Sequence, residues 1–303
     1  MNVHSIAVAV VNHNTSEYLR ECLVSVLEEE PVETIVVDMG SSDGSADMVR
    51  QEFPGCTLHV VPNRGYGAGA NVALRKAGAG YMLVLNADTR LQPGALAALA
   101  DYLGNNPGVG LAGPRVVSED GTVEQTGRRF PTPLELLLQE SGLHMLVDTR
   151  RRRGAPQRVD WVLGAALALR RKAALSVGGF DESYFMYGEE IDLCLRLRQA
   201  GWETHYAPVA TVVHVGGAST SQRRSEMAAQ YVRSTILLFR RHRRPWETSL
   251  ARMVLTLVLT GRLIRDSIRL LFRRRTGERQ ELAERVGAWR RALRAARDDR
   301  PHT

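Results

Sequence analysis

The chain predicts an α/β fold: a Rossmann-like, mostly parallel sheet flanked by helices, with a basic helical extension at the C-terminus. Three observations carry that expectation. Strand-like apolar runs alternate with helical stretches through the first 115 residues, the pattern of parallel strands covered on both faces. Asn12, Asp38, Asn63 and Asp88 each follow or end an apolar run, and ligands of such sheets sit beyond the carboxyl ends of the strands. Charge is also uneven along the chain. From Arg240 to Thr303, eighteen Arg stand against seven Asp plus Glu, a local balance of +11. That leaves −4 on the first 239 residues of a chain whose net charge is +7. A basic tail on a mildly acidic body points to an anionic partner for the tail alone.

The elements follow in order. "SIAVAVVNHN" reads as a buried strand. "SEYLRECLVSVL" reads as an amphipathic helix with Leu19, Leu23, Val26 and Leu27 on one face and Ser16 as its N-cap. "ETIVVD", "TLHVV" and "YMLVLNAD" are further strands. "SADMVRQEF" and the small-residue stretch "YGAGANVALRKAG" are the helices between them, and the glycines of the second allow close packing. From Pro114 to Ser219 the elements shorten. Arg150 to Arg158 reads as an exposed loop, "WVLGAALALRRKA" as a strand leading to a helix, and "EEIDLCLRLRQAG" as a helix closed by Gly201. After Ser221 the pattern is helical almost to the end. At about 100° per residue, Arg262, Arg265, Asp266, Arg269 and Arg273 share one face, with Leu257, Ile264, Ile268 and Leu271 opposite. Two readings of that helix are open: a basic amphipathic helix lying on a membrane, or a helix whose apolar face packs on its own domain. Residues 1–115, 116–220 and 221–303 are the expected divisions.

Composition narrows the function classes. A chain of 303 residues that is 44% hydrophobic and 24% charged has the length and balance for a sizeable core. Cys22, Cys56 and Cys194 stand alone without CxxC spacing, against a disulfide framework or zinc site and in keeping with a reducing compartment. The apolar run Ile6 to Val11 is too short for a signal peptide, so a cytoplasmic chain is expected. Met253 to Gly261, the longest uncharged stretch of the tail, is too short to span a bilayer. Nucleic-acid binding would rest on the arginine tail alone, with only Trp246 and Trp289 interleaved, and is not expected.

The chemistry-bearing residues are few. "FMYGEEIDLCLR" sets Glu189, Glu190 and Asp192 behind the aromatic residues Tyr184, Phe185 and Tyr187, where solvation, salt bridging to Arg196 or Arg198, and work on a substrate are all open. Asp88 ends "LVLNAD" with the oxygen chemistry of a Mg2+ or Mn2+ ligand, and equally with that of a turn residue. A nicotinamide-type site is disfavoured, because the first strand–helix junction "VVNHNTSEY" lacks GxGxxG.

Six segments in this order and spacing carry more than any one of them: "VNHNTSEYLRECLVSVL", "IVVDMGSSDGS", "NRGYGAGANVAL", "LVLNADTRL", "GGFDESYFMYGEEIDLCLRLRQAGW" and "VVHVGGAST". Together they resemble the family 2 glycosyltransferases, in particular their bacterial rhamnosyltransferase-like branch, over roughly Val3 to Ser219. The resemblance implies a GT-A fold. It also implies inverting, cation-dependent transfer of a sugar from a nucleotide donor to a cell-wall, lipid-linked or polysaccharide acceptor. dTDP-rhamnose is the first donor expected and a UDP-hexose the second. Asp38 matches the acid that contacts the nucleotide base. Asn12, Asn63, Arg64 and Gly65 match the nucleotide pocket, and Gly164 is placed with the donor site. Asp88 matches the last acid of the metal-binding Asp-x-Asp element, whose first position here is Asn86, and His214 matches a histidine completing that site. Glu190 stands where the family carries its catalytic Asp, flanked by Glu189 and Asp192. Two departures, Met39 after the nucleotide-contacting acid and Glu190 for Asp, leave open a catalytically silent relative that binds nucleotide sugar or scaffolds an assembly complex. The tail adds an anionic membrane surface, at the inner face of the plasma membrane, or a homodimer contact.

Overall fold

Asn12 and Asp38 stand side by side because β1 (Ile6–Asn12) and β2 (Glu33–Asp38) pair in parallel register, Asn12 opposite Asp38. Both strands are apolar runs of β-branched residues buried on both faces, as a parallel sheet demands. The computed structural model describes residues 6–142, 154–216, 224–272 and 276–298. β3 (Thr57–Val60) adds in parallel to β2, and β4 (Tyr81–Asn86) to the other side of β1. Helices α1 (Ser16–Leu27), α2 (Ser45–Glu52) and α3 (Tyr66–Lys76) provide the crossovers.

Beyond β4 the sheet becomes mixed. β5 (Thr89–Leu91) and α4 (Ala95–Asn105) follow β4 in the chain, and β6 (Val109–Val117) enters the same sheet. Further along come the two-residue β7 (Gly127–Arg128), then β8 (Gln157–Val159), β9 (Trp161–Val162) and β10 (Ala166–Arg170). After α6 (Arg171–Ser176) and α7 (Glu189–Gln199), β11 (Glu203–His214) is the last strand. Strand order is β3-β2-β1-β4-β10-β6-β11-β5, with β8 also on β11 and a separate β7–β9 pair. β10 runs antiparallel between β4 and β6, while β11 runs parallel to β6 and antiparallel to β5. The expected exposed loop therefore holds a strand from Gln157, and its residues 150–153 lie outside the described residues.

Local details refine the sequence reading. The N-cap of α1 is Thr15, not Ser16. The Thr15 hydroxyl donates to Asn12 Oδ1 at 2.7 Å, and Asp43 receives the Ser16 amide at 2.8 Å. Cys22 joins the buried face of α1, while Leu27 is exposed. Gly65, at φ +99°, has no room for a side chain, because a Cβ there would overlap the Phe185 backbone carbonyl. Gly201, at φ +86°, closes α7 as expected.

Contacts divide the chain into two compact units. The first holds the sheet and spans 1–130, 152–185 and 189–219; the second spans 131–151, 186–188 and 220–303. The sheet takes strands from both 1–115 and 116–220. The helical unit reaches beyond 221–303 by including α5 (Pro133–Glu140), which opens on a Thr132–Glu135 capping box. Its other helices are α8 (Arg224–His242), α9 (Pro245–Phe272) and α10 (Thr276–Arg297). Leu136, Val232, Phe239, Leu255, Leu259 and Leu293 share its core.

Within this unit α9 is oriented contrary to one sequence reading. The face bearing Leu257, Ile264, Ile268 and Leu271 is exposed, whereas Asp266 on the polar face is fully buried. Trp289 Nε1 donates to Asp266 at 3.0 Å, and Arg265 and Arg285 lie 3.0 and 2.9 Å from its oxygens. Those contacts hold its carboxyl below the ordinary range against the opposing effect of burial. Arg262 pairs with Glu140 at 2.9 Å and stacks on Trp289. A helix packed through its apolar face with a solvated arginine face is thus excluded for this segment. Asp266→Asn should cost roughly 2–4 kcal/mol, since it leaves two arginines and an indole around a neutral amide. Urea unfolding checks it, and unchanged stability would contradict this account of the helix.

Candidate active site

The carboxyl ends of the parallel strands assemble the first part of the site. Asp38 is fully buried, with Oδ2 accepting from Asn12 Nδ2 at 2.8 Å and Oδ1 from the Ser41 amide at 2.8 Å. Asn12 Nδ2 also reaches Ser41 Oγ at 3.2 Å, so this corner is a closed hydrogen-bonded network rather than a pair of free side chains. Past β3, Asn63 Oδ1 accepts from the Gly65 amide at 3.1 Å and shapes the turn into α3. Arg64 is largely exposed and lies 3.4 Å from Glu182. Met39 is buried, and a side chain on Gly69 would meet its sulfur at 2.8 Å, so Met39 is matched by a glycine in the facing helix.

The second part comes from the antiparallel end of the sheet. β5 pairs with β11 so that His214 stands opposite Thr89, and the Val215 amide donates to the Asp88 carbonyl at 3.0 Å. This register brings His214 Nε2 to 3.5 Å from Asp88 Oδ1. Glu124, just after the Val117–Val123 bridge, places Oε1 3.3 Å from His214 Nδ1. Burial lowers the affinity of His214 for its proton, but the Asp88 and Glu124 carboxylates outweigh it and push the ring up to about 9.

One oxygen and one nitrogen donor 3.5 Å apart fit two ligands of a single divalent ion with bonds of roughly 2.0–2.2 Å. A carboxylate on Nδ1 presents the Nε2 lone pair to such an ion. Among the described residues no group of three or more His, Cys, Asp or Glu side chains could hold a metal by itself. Two protein ligands completed by water and phosphate oxygens are the usual pattern for such an ion. The Asn86 amide is tied to the Ala165 carbonyl at 3.1 Å, and its own carbonyl accepts from Thr89 Oγ1 at 2.7 Å.

The third part is the acidic turn. Asn71 on α3 clamps Phe180, donating to its carbonyl and accepting from its amide, both at 2.8 Å, while the Tyr66 amide donates to the Phe185 carbonyl at 3.0 Å. These bonds fix the segment leading to α7. Glu189, Glu190 and Asp192 occupy the first turn of α7, where the positive end of the helix favours negative charge, and all three are buried. Asp192 is committed to Arg196, which contacts its Oδ2 at 2.6 Å. Glu189 is pushed well above the carboxylate range by burial and then by Glu190, and its Oε2 has no hydrogen-bond partner. The Glu190 side chain lies beside Gly164, where an added Cβ would sit 3.8 Å from Glu190 Cδ.

Tyr66 joins the second and third parts. Its hydroxyl donates to the Gly164 carbonyl at 3.1 Å, and burial followed by the charges of Glu189, Glu190 and Asp88 pushes it well above its ordinary range. The tyrosine thus lies within the field of both the acidic turn and Asp88. Sequence reasoning singled out neither Tyr66 nor Glu124. The one signal for Tyr66 was its place directly after Gly65, and Glu124 had none.

Comparison with known proteins gives the family and the fold. The family described as "Glycosyltransferase like family 2" matches residues 4–232. The N-acetylglucosaminyl-diphospho-decaprenol L-rhamnosyltransferase of Mycobacterium tuberculosis is 33% identical over 273 residues, covering 80% of this chain and 87% of that protein. The Escherichia coli rhamnosyltransferase WbbL is 24% identical over 216 residues, covering 68% of this chain and 82% of that one. In three dimensions the chain is similar to mannosyltransferase PcManGT from Pyrobaculum calidifontis, solved with GDP-Man and Mn2+. That match has a TM-score of 0.53 at 18% identity and covers 96% of this chain and 85% of that one. It is also similar to GalNAc-T7, solved with UDP, GalNAc and Mn2+, at TM-score 0.57 and 17% identity, covering 77% of this chain but only 48% of that protein's length. A sheet whose parallel strands end in Asn12, Asp38 and Asn86, with a carboxylate-bearing α7 beside them, is the GT-A architecture, and the chain belongs to the glycosyltransferase-like family 2.

Proposed function

We propose that this glycosyltransferase moves rhamnose from dTDP-rhamnose, with a UDP-hexose as the second donor class, to a lipid-linked or polysaccharide acceptor at the inner face of the plasma membrane. The observation that carries the chemistry is geometric: Glu190 lies beside Gly164, whose carbonyl accepts from the Tyr66 hydroxyl, while Asp88 and His214 stand 3.5 Å apart at the strand ends. A base must reach the attacking acceptor hydroxyl while a cation faces the departing diphosphate on the other side of the anomeric carbon, and the site supplies a candidate for each. The donor choice is supported by the 33% identity to a rhamnosyltransferase acting on a diphospho-decaprenol substrate.

Glu190 is the general base, accepting the proton of the acceptor hydroxyl as that oxygen attacks the anomeric carbon. With a single base and no second carboxylate assigned as nucleophile, attack from the face opposite the diphosphate inverts the anomeric centre. Glu189, its neighbour, is pushed toward the neutral form by burial and by Glu190 and is not assigned as the base. Asp192 positions the first turn of α7 through Arg196. Asn12, Asp38, Asn63, Arg64 and Gly65 shape the nucleotide pocket, with Asn86 and Gly164 lining the donor side. Asp88 and His214 would hold Mg2+ or Mn2+, which when bound supplies positive charge to the departing diphosphate.

Incubating the purified chain with a panel of nucleotide sugars, with and without Mn2+, tests the reading. Mn2+-dependent consumption of dTDP-rhamnose in preference to UDP-hexoses is expected, and indifference to every donor would refute it.

Glu124 is assigned as the residue that positions His214. Glu124→Ala should raise the half-saturating Mn2+ concentration roughly 10–100-fold while turnover at saturating Mn2+ changes little. Glu124→Gln, whose amide oxygen can still accept from Nδ1, should recover most of the loss. An unaltered Mn2+ dependence in Glu124→Ala would remove that role.

A further inference from the structure

The outward face of α9 is an apolar stripe with nothing laid over it within the described residues. Met253, Leu257, Ile264, Ile268, Leu271 and Phe272 are between 50% and 81% exposed. Their spacings of four, seven, four, three and one keep them on one arc, about 29 Å long at 1.5 Å per residue. Single exposed leucines need no explanation, but a continuous row of this length on a soluble surface marks a contact. The inward face of the same helix is already filled by Ala251, Val254, Leu255 and Leu259, and farther along by the Asp266 network. The stripe therefore cannot be turned inward without undoing a formed core.

Charge decides the occupant. Between Thr248 and Phe272 the only acid is Asp266, which is buried, so α9 itself puts no exposed negative side chain along the stripe. Arg269 is exposed and Arg265 half-exposed along one edge, and Arg273, Arg274 and Arg275 follow directly in sequence. A second copy of this helix would bring the same arginine rim against its own in a self-complementary contact. An anionic lipid surface suits both features, with the stripe at the headgroup–acyl boundary and the arginines among the headgroups. No helix among the described residues is long and apolar enough to cross a membrane, so docking in the plane is the geometry available to α9.

We infer that the α9 stripe from Met253 to Phe272 is a docking surface for an anionic bilayer. The inference rests on exposure and charge in the helical unit and does not depend on which sugar or acceptor the enzyme uses.

Cosedimentation of the full chain with sucrose-loaded vesicles tests it. The wild type should pellet with phosphatidylcholine vesicles containing phosphatidylglycerol and much less with pure phosphatidylcholine. Pelleting should weaken as salt shortens the screening length below ~8 Å. The triple change Leu257→Glu, Ile264→Glu, Ile268→Glu should lower partitioning roughly 100-fold or more, and Leu271→Ser alone roughly tenfold. All four positions are exposed, so circular dichroism and thermal melting should match the wild type, and the milder variant serves if the triple one misfolds. Failure of the wild type to pellet, or equal pelleting of wild type and variants, would overturn the inference. So would a wild-type dimer that becomes monomeric in the triple variant while neither form binds vesicles, which would assign the stripe to a second copy.

Discussion

Glu190→Gln should lower turnover by roughly 10²–10⁴-fold, or about 3–5 kcal/mol of barrier, with nucleotide-sugar affinity little changed. The amide keeps the size and hydrogen-bonding reach of the carboxylate but cannot take the acceptor's proton. Glu190→Asp should keep measurable activity, since the shorter acid still presents a carboxylate at the first turn of α7. Neighbouring acids give the controls. Burial and then Glu190 push the Glu189 carboxyl toward its neutral form, so Glu189→Gln should cost far less. Asp192→Asn would loosen Arg196, and with it that residue's bond to the Val177 carbonyl, so its loss should appear in stability before it appears in chemistry. A Glu190→Gln enzyme that turns over normally beside a dead Asp192→Asn enzyme would move the base to Asp192. Parallel steady-state kinetics on the four variants check the assignment.

Asp88→Ala should remove turnover to the limit of detection, because it takes away the proposed carboxylate ligand and leaves His214 facing Glu124 alone. Charge stabilisation of a departing diphosphate is worth several kcal/mol, so a loss of 10³-fold or more is expected. His214→Ala should be milder and should appear chiefly as a weaker dependence on divalent cation, since one oxygen ligand remains. Titrating Mn2+ against turnover in both variants separates them. Full activity of Asp88→Ala at ordinary Mn2+ would place the cation elsewhere.

How much of this was legible in the sequence follows from the range of the contacts. β1 and β2 could be read because each is a single apolar run ending in a polar residue, and a parallel strand buried on both faces needs no more than that. The acidic turn was legible because three carboxylates behind aromatic residues are rare on a solvated helix. The meeting of Asp88 with His214 was not derivable from local pattern. It depends on a three-residue strand, β5, pairing with a strand more than a hundred residues later, and it entered only through the family resemblance. Glu124 was invisible for the same reason, as a surface acid in a short hairpin whose significance lies in the histidine it meets. The orientation of α9 escaped because the helix has two apolar arcs. Which arc goes inward is decided by Trp289 and Arg285 on α10 recruiting Asp266.

Direct displacement assisted by one carboxylate base fixes the anomeric configuration of the product. Proton and carbon NMR of the disaccharide formed from dTDP-rhamnose and a lipid-linked acceptor should show the configuration opposite to that of the donor. A product that retains the donor's configuration would require either a covalent intermediate or same-face attack, and would contradict the role assigned to Glu190.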